Sequence, residues 1–303
     1  MPQLVFLGDT LKEADILPPQ MPEWRQWYLD HIAQHMPHYV DWRNVDGLNF
    51  VTDTQTQVVP YYWGSCSANA VSTALADRLT IQHYMVHRMM PLSPITVSTQ
   101  VIFDCSKSQG DGQRGGNSYN GYAYVHEHGV PSESCSPYLA RSLVAKGEQC
   151  SELEICKACP SDGSECKVPE NFKKYYVDAF GKISGAQEMK LQIAAFGPIS
   201  CQVYDPLAFD YFLLQSDIFR LNIDKVPFLN HVLEVVGWTQ KDGVDVWIMR
   251  NSEGSAWGEY GYGYVPISDN EADNLAIQRS CSWGTPSISP EHQDLFLQHA
   301  LLQ

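Results

Sequence analysis

Gln57-Val58-Val59-Pro60-Tyr61-Tyr62-Trp63-Gly64-Ser65-Cys66-Ser67-Ala68-Asn69-Ala70-Val71 is the stretch that decides the fold of this 303-residue chain. The small and apolar residues Ala68, Ala70, Val71, Ala74, Leu75 and Leu79 recur at helical spacing. They predict a helix over 66–79, buried on most sides. Cys66 then sits at a helix N-terminus, where free N–H groups and the helix dipole stabilise a thiolate. Thiolate, not thiol, attacks a carbonyl.

Two later segments supply what such a cysteine needs. Asn230-His231-Val232 offers His231 as base and then as acid for the leaving amine. Arg250-Asn251-Ser252 offers Asn251 to fix the orientation of the ring. The backbone N–H of Cys66 and the side-chain amide of Gln57 are candidate donors to an oxyanion. Each residue also has a plain structural reading. A lone cysteine on a small-residue helix is usually core. Histidines are usually satisfied structural residues, and an Asn before Ser is often a turn residue. The order and joint occurrence of the set carry the chemical reading.

Bulk properties set limits on partners. With 20 Lys and Arg against 35 Asp and Glu, the net charge is −15, which disfavours nucleic acid and anionic membranes. No apolar run approaches the ~18–20 residues of a membrane span. Leu4-Val5-Phe6-Leu7 is shorter than the ~7–15-residue apolar stretch of a secretory signal. No Asn-x-Ser/Thr acceptor occurs. Either a signal is removed before this numbering begins, or the protein does not enter the secretory route and is cytoplasmic or part of an organelle-associated assembly. The nine cysteines pull the other way. Cys66 is the natural odd one out, and the other eight suit disulfides, buried reduced thiols or, for Cys150, Cys156, Cys159 and Cys166, a zinc knuckle. No cofactor or metal is called for by the chemistry of the site.

Residues 1–37 read as a separate extension, pro-segment-like or a docking segment for a protein partner, with a short helix at Glu23–Leu29. Residues 134–168 hold five cysteines and too few apolar residues to pack without crosslinks. Helices are expected at Tyr122–His128 and Glu188–Phe196, then strands at Ile199–Tyr204, His231–Trp238, Val244–Arg250 and Tyr260–Ile267. A mainly helical first half followed by strands is an α+β layout with two lobes.

Asp41-Trp42-Arg43-Asn44-Val45-Asp46-Gly47, the stretch Gln57 to Cys66, Ala76-Asp77-Arg78, Gly115-Gly116, Asn230-His231-Val232, Gly237-Trp238, Arg250-Asn251-Ser252 and Trp257-Gly258-Glu259 resemble, in order, the papain family of cysteine peptidases, its cathepsin X/Z group most of all. The resemblance covers about residues 38–285. His231 lies 165 positions after Cys66, beyond the ~130–150 usual for the family, and the cysteine-rich segment accounts for the excess.

The resemblance implies a papain-like peptidase domain over 38–290, with a helical lobe at about 52–168, a strand lobe at about 169–285, and a tail at 286–303. It implies nucleophile Cys66, base Cys66's partner His231, orienting Asn251 and oxyanion donor Gln57. It implies a peptide or protein substrate lying along Gly115 and Gly116, with Val58 on the loop beside it. It also implies the pairs Cys105–Cys150, Cys135–Cys156, Cys159–Cys166 and Cys201–Cys281, and a lysosomal or secreted setting.

The chain departs from the family pattern around the nucleophile. Cys-Gly-Ser-Cys-Trp is replaced by Trp63-Gly64-Ser65-Cys66-Ser67, and Gln113 stands in the loop of the first cysteine's usual partner. Both partners of that bridge are gone, so the loop 105–116 is expected to be looser. Glu253 replaces the tryptophan after Asn-Ser. Val58 replaces a histidine that grips a substrate's C-terminal carboxylate, which puts carboxypeptidase action in question. Gln215-Ser216-Asp217 replaces two glycines on a cleft wall. The alternative reading is a catalytically weakened protein kept as a structural or binding component of a larger assembly.

Overall fold

The small-residue run after Ser65 folds into one long helix, and the rest of the molecule is built around it. The computed structural model describes residues 17–106, 116–144, 148–206, 209, 217–221 and 223–301. The expected helix runs on to His87, past residue 79, because Ile81, Met85 and Val86 keep facing inward. Arg88 ends it in the left-handed conformation, and its N–H bonds the Tyr84 carbonyl.

In chain order the helices are α1 (Glu23–Gln34), α2 (Cys66–His87), α3 (Thr99–Cys105), α4 (Ser118–His128), α5 (Glu152–Ile155), α6 (Ala186–Phe196) and α7 (Pro290–Ala300). The strands are β1 (Val40–Asp41), β2 (Val130–Pro131), β3 (Lys174–Tyr175), β4 (Val177–Ile183), β5 (Ile199–Val203), β6 (His231–Lys241), β7 (Val244–Arg250), β8 (Tyr262–Pro266) and β9 (Cys281–Pro286).

The helical lobe packs α3 and α4 against one side of α2. Both helices start on side-chain caps: Ser98 accepts from the Val101 N–H and Asn117 from the Tyr119 N–H. Val71, Leu75, Ile102, Phe103, Tyr119, Tyr122 and Val125 form the core between them. The cysteine-rich stretch contributes one capped turn, α5, and is held by Cys105–Cys150, Cys135–Cys156 and Cys159–Cys166. The four cysteines weighed for zinc are therefore all disulfide-bonded. Of the loop 105–116, expected to be looser, residues 107–115 lie outside the described residues.

The strand lobe is a seven-stranded antiparallel sheet in the order β4-β9-β5-β6-β7-β8, with β1 also paired to β6. Gly237 is needed where β1 crosses: a Cβ there would collide with the Val40 carbonyl. Cys201–Cys281 links β5 to β9 at paired positions. Trp238, Trp247, Ile248, Val235 and Phe196 fill the core behind the sheet. The architecture is the expected α+β fold with two cores. Cys66, Ala70 and Val232 make a third, small cluster where the two lobes meet.

Two segments differ from the sequence expectation. Within the extension 1–37, residues 1–16 lie outside the described residues. The part that follows is built into the strand lobe. Tyr28 and Leu29 of α1 are core residues, and the buried Arg25 pairs with Asp178 at 2.8 Å and donates to the Pro286 carbonyl at 2.7 Å. The tail 286–303 holds the amphipathic helix α7, whose Phe296 meets Trp24 and Tyr28 edge-on. Helices α1 and α7 thus clasp each other, through aromatic contacts that local periodicity does not display.

Candidate active site

Three elements bring the predicted residues together. Cys66 is the first residue of α2 and the single free cysteine. His231 opens β6, opposite Val203 of β5. Asn251 directly follows β7, whose pairing with β6 sets Arg250 opposite Glu234 and so returns Asn251 to the level of the ring.

His231 Nε2 meets Asn251 Oδ1 at 2.8 Å. Asn251 Oδ1 also accepts the Ser252 N–H at 2.9 Å, so it is fixed as an acceptor and Nε2 as a donor. Nδ1 is left to the Cys66 thiol, whose interaction with the ring is felt in its titration. Burial alone would lower the imidazole pKa. The bond to Cys66 and its charge, then the charge of Asp205 and the bond to Asn251, outweigh burial and raise it to about 10.

Gln57 is 1% exposed and tied to the same strand end. Its N–H bonds the Ser252 carbonyl at 2.7 Å, and its Oε1 accepts from Ser252 Oγ at 2.8 Å. The side-chain NH2 is therefore the end left to donate. Beneath the site, Arg250 bonds Asp77 of α2 at 2.7 Å and Glu234 of β6 at 2.5 Å, all three fully buried. It also donates to the Thr52 carbonyl. This cluster locks the nucleophile helix to the strands that carry His231 and Asn251.

The residues that depart from the family pattern are accommodated. Trp63 packs edge-on against Phe103, 6.1 Å between rings, at the border of the helical core. Ser67 is buried within α2. Glu253 pairs by backbone with Thr56, and Asp205 contributes an acidic charge that acts on His231. His231 and Asn251 stay buried, at 7% and 4% exposure, without the family's tryptophan. Val58 donates its N–H to Thr56 Oγ1, and Val59, Tyr61 and Tyr62 beyond it are exposed. Gly116 lies just before the cap of α4; Gly115, Gln215 and Ser216 lie outside the described residues.

Three contributors were not evident in the sequence. Ser252 anchors Gln57, Asp205 acts on His231, and Tyr138 reaches Ser65 Oγ at 2.7 Å. The adjacency of Ser252 to Asn251 is a signal for the first. No sequence signal marks the other two, because each is brought in by a distant loop. A thiol at a helix start, beside a ring fixed on its far side, is suited to acyl transfer. Among the described residues no group of three or more His, Cys, Asp or Glu is arranged to hold a metal.

Comparison with known proteins agrees. Residues 36–285 match the family model described as papain family cysteine protease. The chain is 34% identical over 257 residues to cathepsin Z of Onchocerca volvulus, covering 83% of this chain and 78% of that one. Among solved structures it is similar to procathepsin B S9 from Trypanosoma congolense, at TM-score 0.63 and 20% identity, covering 90% and 84% of the two chains. It is also similar to the bromelain protease from Ananas comosus in complex with the E64 inhibitor, at TM-score 0.60 and 21% identity, covering 82% and 99%.

Proposed function

The chain belongs to the papain family of cysteine proteases, and from that premise we propose that it is a cathepsin Z-like peptidase working through a Cys66 acyl-enzyme. The observation that carries this reading is the His231–Asn251 bond at 2.8 Å on a ring whose pKa Cys66 raises to about 10. An imidazolium so favoured is placed to give up its proton to a leaving amine.

The thiolate Sγ attacks the scissile carbonyl carbon, and the carbonyl oxygen becomes an oxyanion. The Cys66 N–H and the Gln57 NH2 stabilise that charge. The intermediate collapses by breaking the C–N bond, while Nδ1–H of His231 protonates the leaving amine. The neutral ring then takes a proton from water, whose oxygen attacks the thioester and releases the acid and the thiolate. Asn251 holds the ring in plane for both transfers, since a misplacement of ~1 Å costs ~10²-fold.

Val58 offers no charge to a substrate carboxylate, and the exposed Val59, Tyr61 and Tyr62 favour apolar peptide on that side. The protein therefore cleaves without requiring a free C-terminus. Its disulfides suit an oxidising route, lysosomal or secreted. Paired fluorogenic peptides with free and amidated C-termini, at mildly acid pH, test this. Comparable hydrolysis of both, lost in Cys66→Ala, is expected; cleavage of the free acid alone would refute the specificity. A second reading, a weakened enzyme retained as a binding component, is favoured by Ser67 and Glu253 and predicts hydrolysis of neither.

A further inference from the structure

Both oxyanion donors hang from one loop. The Gln57 side chain begins it, and the Cys66 N–H follows directly after Ser65 at its end. Nothing covalent closes the loop, since Trp63 is not a cysteine and the four disulfides lie elsewhere. Its internal backbone bonds are Trp63 N–H to Gln57 O at 3.3 Å and Ser65 N–H to Trp63 O at 2.7 Å. The first is long.

One side chain from outside spans both ends. Tyr138 Oη donates to the Gln57 carbonyl at 3.2 Å and meets Ser65 Oγ at 2.7 Å. A phenol has one proton, so with Oη donating to Gln57, Ser65 Oγ–H is the donor to Tyr138. Asn69 Nδ2 in turn donates to Ser65 Oγ and to the Ser65 carbonyl, both at 3.0 Å. The bonds run in one direction, from Asn69 through Ser65 and Tyr138 to Gln57. Ser65 and Asn69 are buried at 0% and 2% exposure. Tyr138 is held in turn by its N–H bond to Glu133 at 2.6 Å, and Cys135, three residues before it, is bridged to Cys156.

We propose that Tyr138 is a positioning residue for the oxyanion hole, setting the separation of the Gln57 amide and the Cys66 N–H through Gln57 O and Ser65 Oγ. This rests on the peptidase reading above. Tyr138 directs its hydroxyl bonds to Gln57 O and Ser65 Oγ and not to the Cys66 sulfur. Its loss therefore weakens the step that develops an oxyanion and leaves alkylation of the thiolate, which develops none, unchanged.

The test uses Tyr138→Phe, with Ser65→Ala breaking the same chain at another link. Three readouts are compared with the parent protein: kcat and KM on a fluorogenic peptide, the rate of Cys66 alkylation by iodoacetamide, and affinity for a peptide aldehyde, whose hemithioacetal places an oxygen in the hole. Both variants are expected to lose about 10- to 100-fold in kcat and in aldehyde affinity, part of the ~10²–10³ of a whole donor. KM and the alkylation rate stay within about twofold. An unchanged kcat in Tyr138→Phe overturns the proposal. So does an alkylation rate that falls in step with kcat, since that marks a general loss of structure. If the parent protein hydrolyses no peptide, the peptidase reading fails and this proposal with it; an active parent with unaffected variants refutes this proposal alone.

Discussion

Cys66 and His231 account for each other. The ring is buried, and burial of a histidine favours its neutral form. Cys66 supplies the largest influence in the opposite direction, and the result is a pKa near 10. A histidine raised on folding adds stability fully below its unfolded pKa of ~6.5, and that contribution is lost as pH rises through about 10. Cys66→Ala removes the hydrogen bond and the charge together. The His231 ring should then titrate well below its pKa in the parent, near or under ~6.5, when followed by NMR of the imidazole protons. A titration unmoved by the substitution would mean that Asp205 and Asn251, not the thiol, hold the ring charged. These roles were readable from residue order, because Cys, His and Asn fall in sequence with suitable neighbours. Tyr138 and Asp205 were not, because their chemistry depends on two loops folding onto the site.

At the level of elements, α2, β6 and β7 are joined by Arg250 bridging Asp77 and Glu234. Two buried carboxylates face one guanidinium. Burial is the largest influence on Asp77 and raises its pKa well above the ordinary range; Arg250 opposes this and Glu234 adds to it. A carboxylate raised on folding favours the fold below its unfolded pKa of ~3.9 and disfavours it as pH rises through the folded value. The unfolding temperature should therefore fall as pH rises above ~3.9 toward that raised value. In Glu234→Gln, with one carboxylate left per guanidinium, that fall should be smaller, as scanning calorimetry across pH will read. Equal slopes in the two proteins would contradict the account. The strands expected at His231–Trp238 and Val244–Arg250 show as apolar runs around a Lys241-Asp242-Gly243 turn, and the first runs on to Lys241. β4 does not show in this way: Gly181 interrupts its pattern, and Trp283 of β9 covers that glycine across the sheet.

For the whole molecule, the lobes meet at the nucleophile, while α1 packs against α6, β4, β9 and α7. Sequence reading set residues 1–37 apart because they lack a counterpart in the resembling region. The burial of Arg25, Tyr28 and Leu29 joins the described part of that stretch to the strand core. Arg25→Ala breaks the bonds to Asp178 and Pro286 and should cost about 3 kcal/mol, somewhat less if Asp178 rehydrates. Denaturant melts will read this as a lower midpoint at unchanged slope. A midpoint equal to the parent's would show α1 to be a detachable segment.

The central claim is that Cys66, activated by His231, attacks carbonyl carbon. Its most direct measurement is intact-mass and peptide-mapped labelling by iodoacetamide at mildly acid pH, where an ordinary thiol of pKa ~8.5 is almost wholly protonated. The account predicts one label, on Cys66, added at least tenfold faster than to a small free thiol, with that advantage lost in His231→Ala. Labelling of Cys66 no faster than the free thiol, or equally fast without His231, would contradict it.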